Sequence, residues 1–153
     1  MTSSYIYSQD NEMLSSHIMK HFGFLVKKYN FIKLREYQYV REIHNDFVGK
    51  FIVVKLIYEG SFSLEILKPR FHIKDLIEEK KRTVDYDYND FERYDLKNLD
   101  LKRAVYNSVS AVNFPDKDLL YYSKLLNENP EILQGDLTKL KWKYLLLKRL
   151  KLK

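Results

Sequence analysis

The chain has no cysteine among its 153 residues, which removes disulfides and thiol catalysis and fits a cytoplasmic compartment. Glycine occurs four times and proline three times, too few for a phosphate-cradling loop or a flexible linker. A single domain over 1–153, able to bury roughly 70% of its unfolded surface, is therefore expected. No GxSxG elbow, Walker loop or GxGxxG fingerprint occurs. No apolar run approaches the ~20 residues of a membrane span. Residues 1–11 are polar, contain Asp10 and lack the basic-then-apolar order of a signal peptide, so a soluble chain is expected.

The last absence is the most informative. From 137 to 153 there is no acid, while Lys139, Lys141, Lys143, Lys148, Arg149, Lys151 and Lys153 all fall there. The whole chain carries 27 Lys and Arg against 21 Asp and Glu; without that segment the balance is 20 to 21. The net charge of +6 thus belongs to one end, and it does not describe a uniformly basic protein.

What is present is an ordinary globular balance, 45% hydrophobic and 31% charged, with an unusual number of rings: thirteen Tyr, nine Phe and one Trp. Tyr suits half-buried positions and binding surfaces. An AT-rich coding sequence would give the same richness in Tyr, Lys, Asn and Ile, and composition alone does not choose.

Leu14, Ile18, Phe22, Leu25 and Tyr29 recur at spacings of three and four, with Lys20, Lys27 and Lys28 off that stripe, so Glu12 to Tyr29 is expected to be an amphipathic helix. Phe31 to Ile43 reads as a strand, Asn45-Asp46 with Gly49 as a turn, and Lys50 to Glu59 as a central strand apolar on both faces. Gly60-Ser61 suits a tight II′ hairpin into Phe62, Leu64 and Ile66, which alternate with Ser61, Ser63 and Glu65 until Pro69 ends the strand. A short helical piece follows at Ile73 to Lys80. Helical periodicity returns at Leu99 to Val112, through Leu101, Val105, Ser108, Val109 and Val112. Asp116 is a candidate cap for a helix bearing Leu119, Leu120, Tyr122, Ser123 and Leu126. Asn129-Pro130 marks a further helix start, Gly135 a stop, and Asp136 the cap of the terminal helix. The expected class is α+β: an N-terminal helix, a three-stranded or slightly larger antiparallel sheet with a hairpin at Gly60, then an all-helical C-terminal half.

Catalytic patterns are scarce. His17 and His21 are spaced to share a metal, but the segment reads HIMKH, without the glutamate of a zincin, and a third ligand is needed. A pair of partly buried helix residues explains them equally, and His44 and His72 read as structural. Asp85-x-Asp87-x-Asn89 begins like a calcium loop, yet Asp90 replaces the required Gly and Leu96 the final Glu. No cofactor, metal or enzymatic activity is expected.

Two charged segments remain. Between 85 and 95, Asp85, Asp87, Asp90, Glu92 and Asp95 alternate with Tyr86, Tyr88, Phe91 and Tyr94, opposed only by Arg93. Such acids would steer a basic partner and the rings would anchor it. A strip of this kind also suits the nucleic-acid groove of a nuclease. A solvated connection with its rings tucked into the core is the plainer alternative. The terminal segment allows three readings: a basic helix on anionic lipid, a phosphate-binding helix using Lys139, Lys141, Lys143, Lys148 and Arg149 with Trp142 and Tyr144 stacking on bases, or a helix docked on the core.

HFGFLVKKYNF with KFIVVKLIYEGSFSLEI, together with LLYYSKLLNENPEILQGDLTKL, covers about half the chain. These stretches resemble small bacterial α+β proteins, some found beside polymorphic-toxin genes and labelled immunity proteins. The shared features are structural, namely a hairpin, a cap, a Pro and a Gly. The resemblance implies a cytoplasmic, non-enzymatic protein that neutralises a partner such as a basic toxin or nuclease. The leading expectation is accordingly protein binding through Asp85, Tyr86, Asp87, Tyr88, Asp90, Phe91, Glu92 and Tyr94. The alternative is nucleic-acid binding through Lys139, Lys141, Trp142, Lys143, Lys148 and Arg149.

Overall fold

The structure, a computed structural model, describes residues 5–7, 12–101 and 115–151. It is α+β, as expected. Helix α1 spans Glu12–Tyr29 and buries Leu14, Ile18, Phe22 and Leu25, the stripe legible in the sequence. It stops where Asn30 turns left-handed (φ 59°) and the Phe31 N–H bonds back to the Leu25 carbonyl at 2.9 Å. The expected helix face through Val105, Ser108, Val109 and Val112 lies outside the described residues.

The sheet is larger than three strands. Seven antiparallel strands occur among the described residues: β1 (Tyr5–Tyr7), β2 (Ile32–Lys33), β3 (Tyr37–Tyr39), β4 (Glu42–Val48), β5 (Val53–Tyr58), β6 (Phe62–Pro69) and β7 (Phe91–Asp95). Their order is β1-β3-β4-β5-β6-β7, with β2 pairing the far end of β4. Phe31 to Ile43 is therefore not one strand. A two-residue turn at Val40-Arg41 divides it, since Tyr39 pairs with Glu42, and Val40 takes φ 58° although it is β-branched. Asn45-Asp46 is not a turn but the middle of β4, paired with Leu56 and Lys55; the reversal comes after it, where the Gly49 N–H reaches the Ile52 carbonyl at 2.8 Å.

The Gly60 hairpin forms, with a different turn. Tyr58 pairs with Phe62, leaving three loop residues and Gly60 at φ 86°, a backbone that glycine adopts without steric cost. Nor is the second half all-helical, because Phe91–Asp95 closes the sheet as β7 against β6. An edge strand tolerates its acids: Glu92 and Asp95 are only half-buried, while Phe91 and Tyr94 face inward on opposite sides.

Helices α3 (Pro115–Glu128) and α4 (Thr138–Lys151) pack with α1 on one face of the sheet; the short α2 (Lys74–Ile77) sits on the other. The larger core joins Phe47, Val54, Leu56, Leu64 and Ile66 of the sheet to Phe22, Leu119, Leu126 and Leu140 of the helices. The smaller one joins Val48, Val53, Leu67 and Phe91 to Leu34 and Leu76. Asp116 lies inside the first turn of α3 rather than capping it. Asp136 does cap α4, its Oδ1 accepting from the Thr138 N–H at 3.1 Å.

Candidate partner-binding surfaces

Alternation along β4 to β7 sets Asp46, Lys55, Glu65 and Asp95 opposite one another, a row of charge across the second face. Lys55 is buried there and its ammonium donates to Thr83 Oγ1 (2.6 Å), Tyr37 Oη (2.8 Å) and Asp46 Oδ1 (3.1 Å). Three donors meet three acceptors, so the cation is fully answered. Desolvation by burial nonetheless lowers its pKa, against the pull of Asp46, and raises that of Glu65. His44 stands at the end of this network, its ring 5.0 Å from that of Tyr37 and its Nε2 3.0 Å from Glu42 Oε1. Burial first, and then the Lys55 charge, holds the imidazole neutral with a pKa of about 3. Sequence reasoning missed this row. Its signal was Lys55 itself, a lone charge inside a run apolar on both sides, which needs a buried partner. Lys55, Asp46, Tyr37 and Thr83 are closed off from solvent, while Glu42 and Glu65 at the margins of the network are 32% and 31% exposed.

The histidines of α1 find their third residue without forming a metal centre. His17 Nδ1 and His21 Nε2 lie 2.9 and 3.0 Å from the same oxygen, Asp116 Oδ1, and tie α1 to α3. These hydrogen bonds, that from His21 first, lower the Asp116 pKa. No group of three residues able to hold a metal occurs among the described residues. His72 Nδ1 accepts from the Lys74 N–H at 3.2 Å, a local turn contact.

The 85–95 strip does not present one continuous face. Phe91 and Tyr94 are buried, in different cores. Tyr86 stacks on Phe71 with ring centroids 4.3 Å apart and meets Phe91 edge-on. Only Tyr88 stands out, 74% exposed, with the Arg93 guanidinium 5.2 Å from its ring centre. Several acids serve the chain locally. Asp85 Oδ2 accepts from the Arg82 N–H (2.7 Å), Asp90 Oδ2 from the Asp87 N–H (2.9 Å), and Glu92 Oε1 from the Tyr94 hydroxyl (2.7 Å). What faces water is a short acidic tip of Asp85, Asp87 and Tyr88, flanked by Asp90.

Helix α4 is the opposite case. Leu137, just before it, and Leu140 and Leu147 dock on the core, and Tyr144 meets Tyr94 edge-on at 5.8 Å. Its outer line runs Trp142, Leu145, Arg149, at spacings of three and four, with Lys141 and Lys148 alongside. All five are exposed, Trp142 at 58% and Leu145 at 55%. Lys143 lies beside the indole, its Nζ 5.1 Å from the ring centre, and Lys139 donates to Asn129 Oδ1 at 2.7 Å. None of the cations on α4 pairs with an acid among the described residues. One side of the helix thus docks on the core, while the other exposes Lys141, Lys148 and Arg149 with the Trp142 indole open to solvent. The side chain of Lys151, and Lys153, lie outside the described residues. No helix among the described residues is long and apolar enough to cross a membrane.

No protein-family model, curated protein or solved structure matches the chain.

Proposed function

We propose that this chain is a non-enzymatic binding domain that engages nucleic acid through the outer face of α4. The supporting observation is the exposed set of Lys141, Trp142, Lys148 and Arg149 on a segment with no acid. Such a face has uncompensated charge for phosphates and a ring for a base. A labelled oligonucleotide tests it. Binding should weaken steeply with salt and fall further when Lys141, Lys148 and Arg149 are changed together to Gln. For every phosphate no longer neutralised, the log–log salt slope should flatten by about 0.7 to 0.9. Absence of binding at low salt would remove the reading.

A second reading rests on Tyr88, whose ring stands 74% exposed between Asp87 and Asp90. It is an immunity-type docking of a basic protein on that tip, with Tyr88 as anchor and Asp85, Asp87 and Asp90 as steering charges. Recovery of the same basic protein from the native cell by wild type and by Tyr88→Ala/Asp87→Lys would rule it out.

A further inference from the structure

Trp142 is the only tryptophan of the chain, and it stands on the outermost line of a helix whose opposite side is fixed to the core. Among the described residues no other ring stacks on it; its neighbour is the ammonium of Lys143. A large apolar ring held in water beside cations has a narrow range of complements. It needs a flat apolar surface that brings negative charge with it. We infer that the ligand of this face is an unpaired nucleic-acid strand, one base of which stacks on Trp142 while its phosphates lie along Lys141, Lys148 and Arg149. This inference rests on the nucleic-acid reading above and narrows it.

Three observations favour a single strand over its rivals. In a duplex the base faces are covered by their neighbours, and what meets a protein is phosphate, sugar and base edge. An indole and a leucine on the outer line have nothing to recognise there, whereas a splayed base offers its face. Leu145, one turn from Trp142 and 55% exposed, extends the apolar floor along the helix. Against lipid, the outer line itself carries Arg149, with Lys141 and Lys148 next to it. A helix lying in a bilayer interface presents a continuous apolar ridge to the chains and keeps its cations at the sides.

The lone tryptophan is also the probe. The full chain is titrated with oligothymidylate, with a duplex of equal phosphate number, and with phosphatidylserine–phosphatidylcholine vesicles, and indole emission is followed. Oligothymidylate should quench that emission to saturation and bind roughly tenfold more tightly than the duplex. Loss of one stacked base predicts a weakening of roughly fivefold to a hundredfold for Trp142→Ala, read by anisotropy of a labelled strand, with substantial recovery in Trp142→Phe. Circular dichroism confirms that each variant is folded. Equal affinity for strand and duplex, with neither quenching nor an effect of Trp142→Ala, overturns the inference and leaves the nucleic-acid reading standing. Binding to vesicles but to neither nucleic acid overturns both.

Discussion

Charge gathers in two places, the row across the sheet and the outer side of α4, and the two are treated oppositely. In the sheet every donor of Lys55 has a partner within 3.1 Å, and the residues supplying those partners are themselves buried. On α4 the cations face solvent without an acid within the segment. A buried charge survives only when its hydrogen bonds are complete, so the interior row reports on stability. An exposed charge contributes little to folding, so the cluster of one sign on α4 is not accounted for by the stability of the domain. The acidic strip falls between these extremes. Asp85 and Asp87 are exposed and Asp90, Glu92 and Asp95 half-buried, and Asp85 and Asp90 already accept from backbone N–H groups of their own loops.

The contrast can be tested by breaking each side in turn. Asp46→Ala should have the largest effect, about 3–5 kcal/mol in denaturant unfolding, because it strands the Lys55 ammonium. An unchanged midpoint would mean that the row is not the interior network described. Next is the acid limb. The His44 pKa is lowered from 6.5 to about 3 in the folded chain, so between those values the unfolded chain binds the extra proton. Stability should therefore fall as pH drops from about 6.5 towards about 3, and His44→Gln should flatten that limb, as read by thermal melts across the window. On α4 the expected changes are smaller. The Asp136 carboxyl sits below its ordinary pKa of 3.8 because the Thr138 hydroxyl and N–H bond to it. Its contribution is present above that value and lost as pH falls through the lower, folded one. The protection factors of the first-turn amides of α4, with the intrinsic pH dependence of exchange divided out, should fall as pH drops below about 3.8. Smallest of all, Trp142→Ala should change the unfolding free energy, read from denaturant titration, by no more than about 0.5 kcal/mol, in keeping with a ring that is 58% exposed.

The sequence revealed elements wherever a local pattern and the tertiary environment agreed. The α1 stripe, the two-faced apolar run of β5 and the Asp136 cap are such places, and all three are found. Elements were misread where tertiary contacts override local preference. Val40-Arg41 turns a hairpin with no Gly, Asn or Asp, so nothing marked the break between β3 and β4. Asn45-Asp46 has turn composition but is a strand because Lys55 waits opposite Asp46. For the surfaces, spacing left three readings of α4 open, because Trp142, Leu145 and Leu150 spread apolar surface round the helix beyond the side of Leu137, Leu140 and Leu147 that docks. The strip has no such periodicity. Whether Tyr86, Phe91 and Tyr94 point out or in depends on Phe71, on the two cores and on Tyr144, residues far away in sequence.

One joint decides how the basic helix is held. Gly135, three residues before its first turn, has φ 89°, and a Cβ there would come within 2.8 Å of the Phe51 Cβ; its carbonyl also accepts from Lys68 Nζ at 2.9 Å. Lys68 of β6 and Phe51 of the β4–β5 connection thus meet this joint from two sides, tying the approach to α4 to the sheet. If the cationic side of α4 receives a polyanion, as proposed above, the helix backbone is already in place and only the long Lys and Arg side chains remain to be ordered.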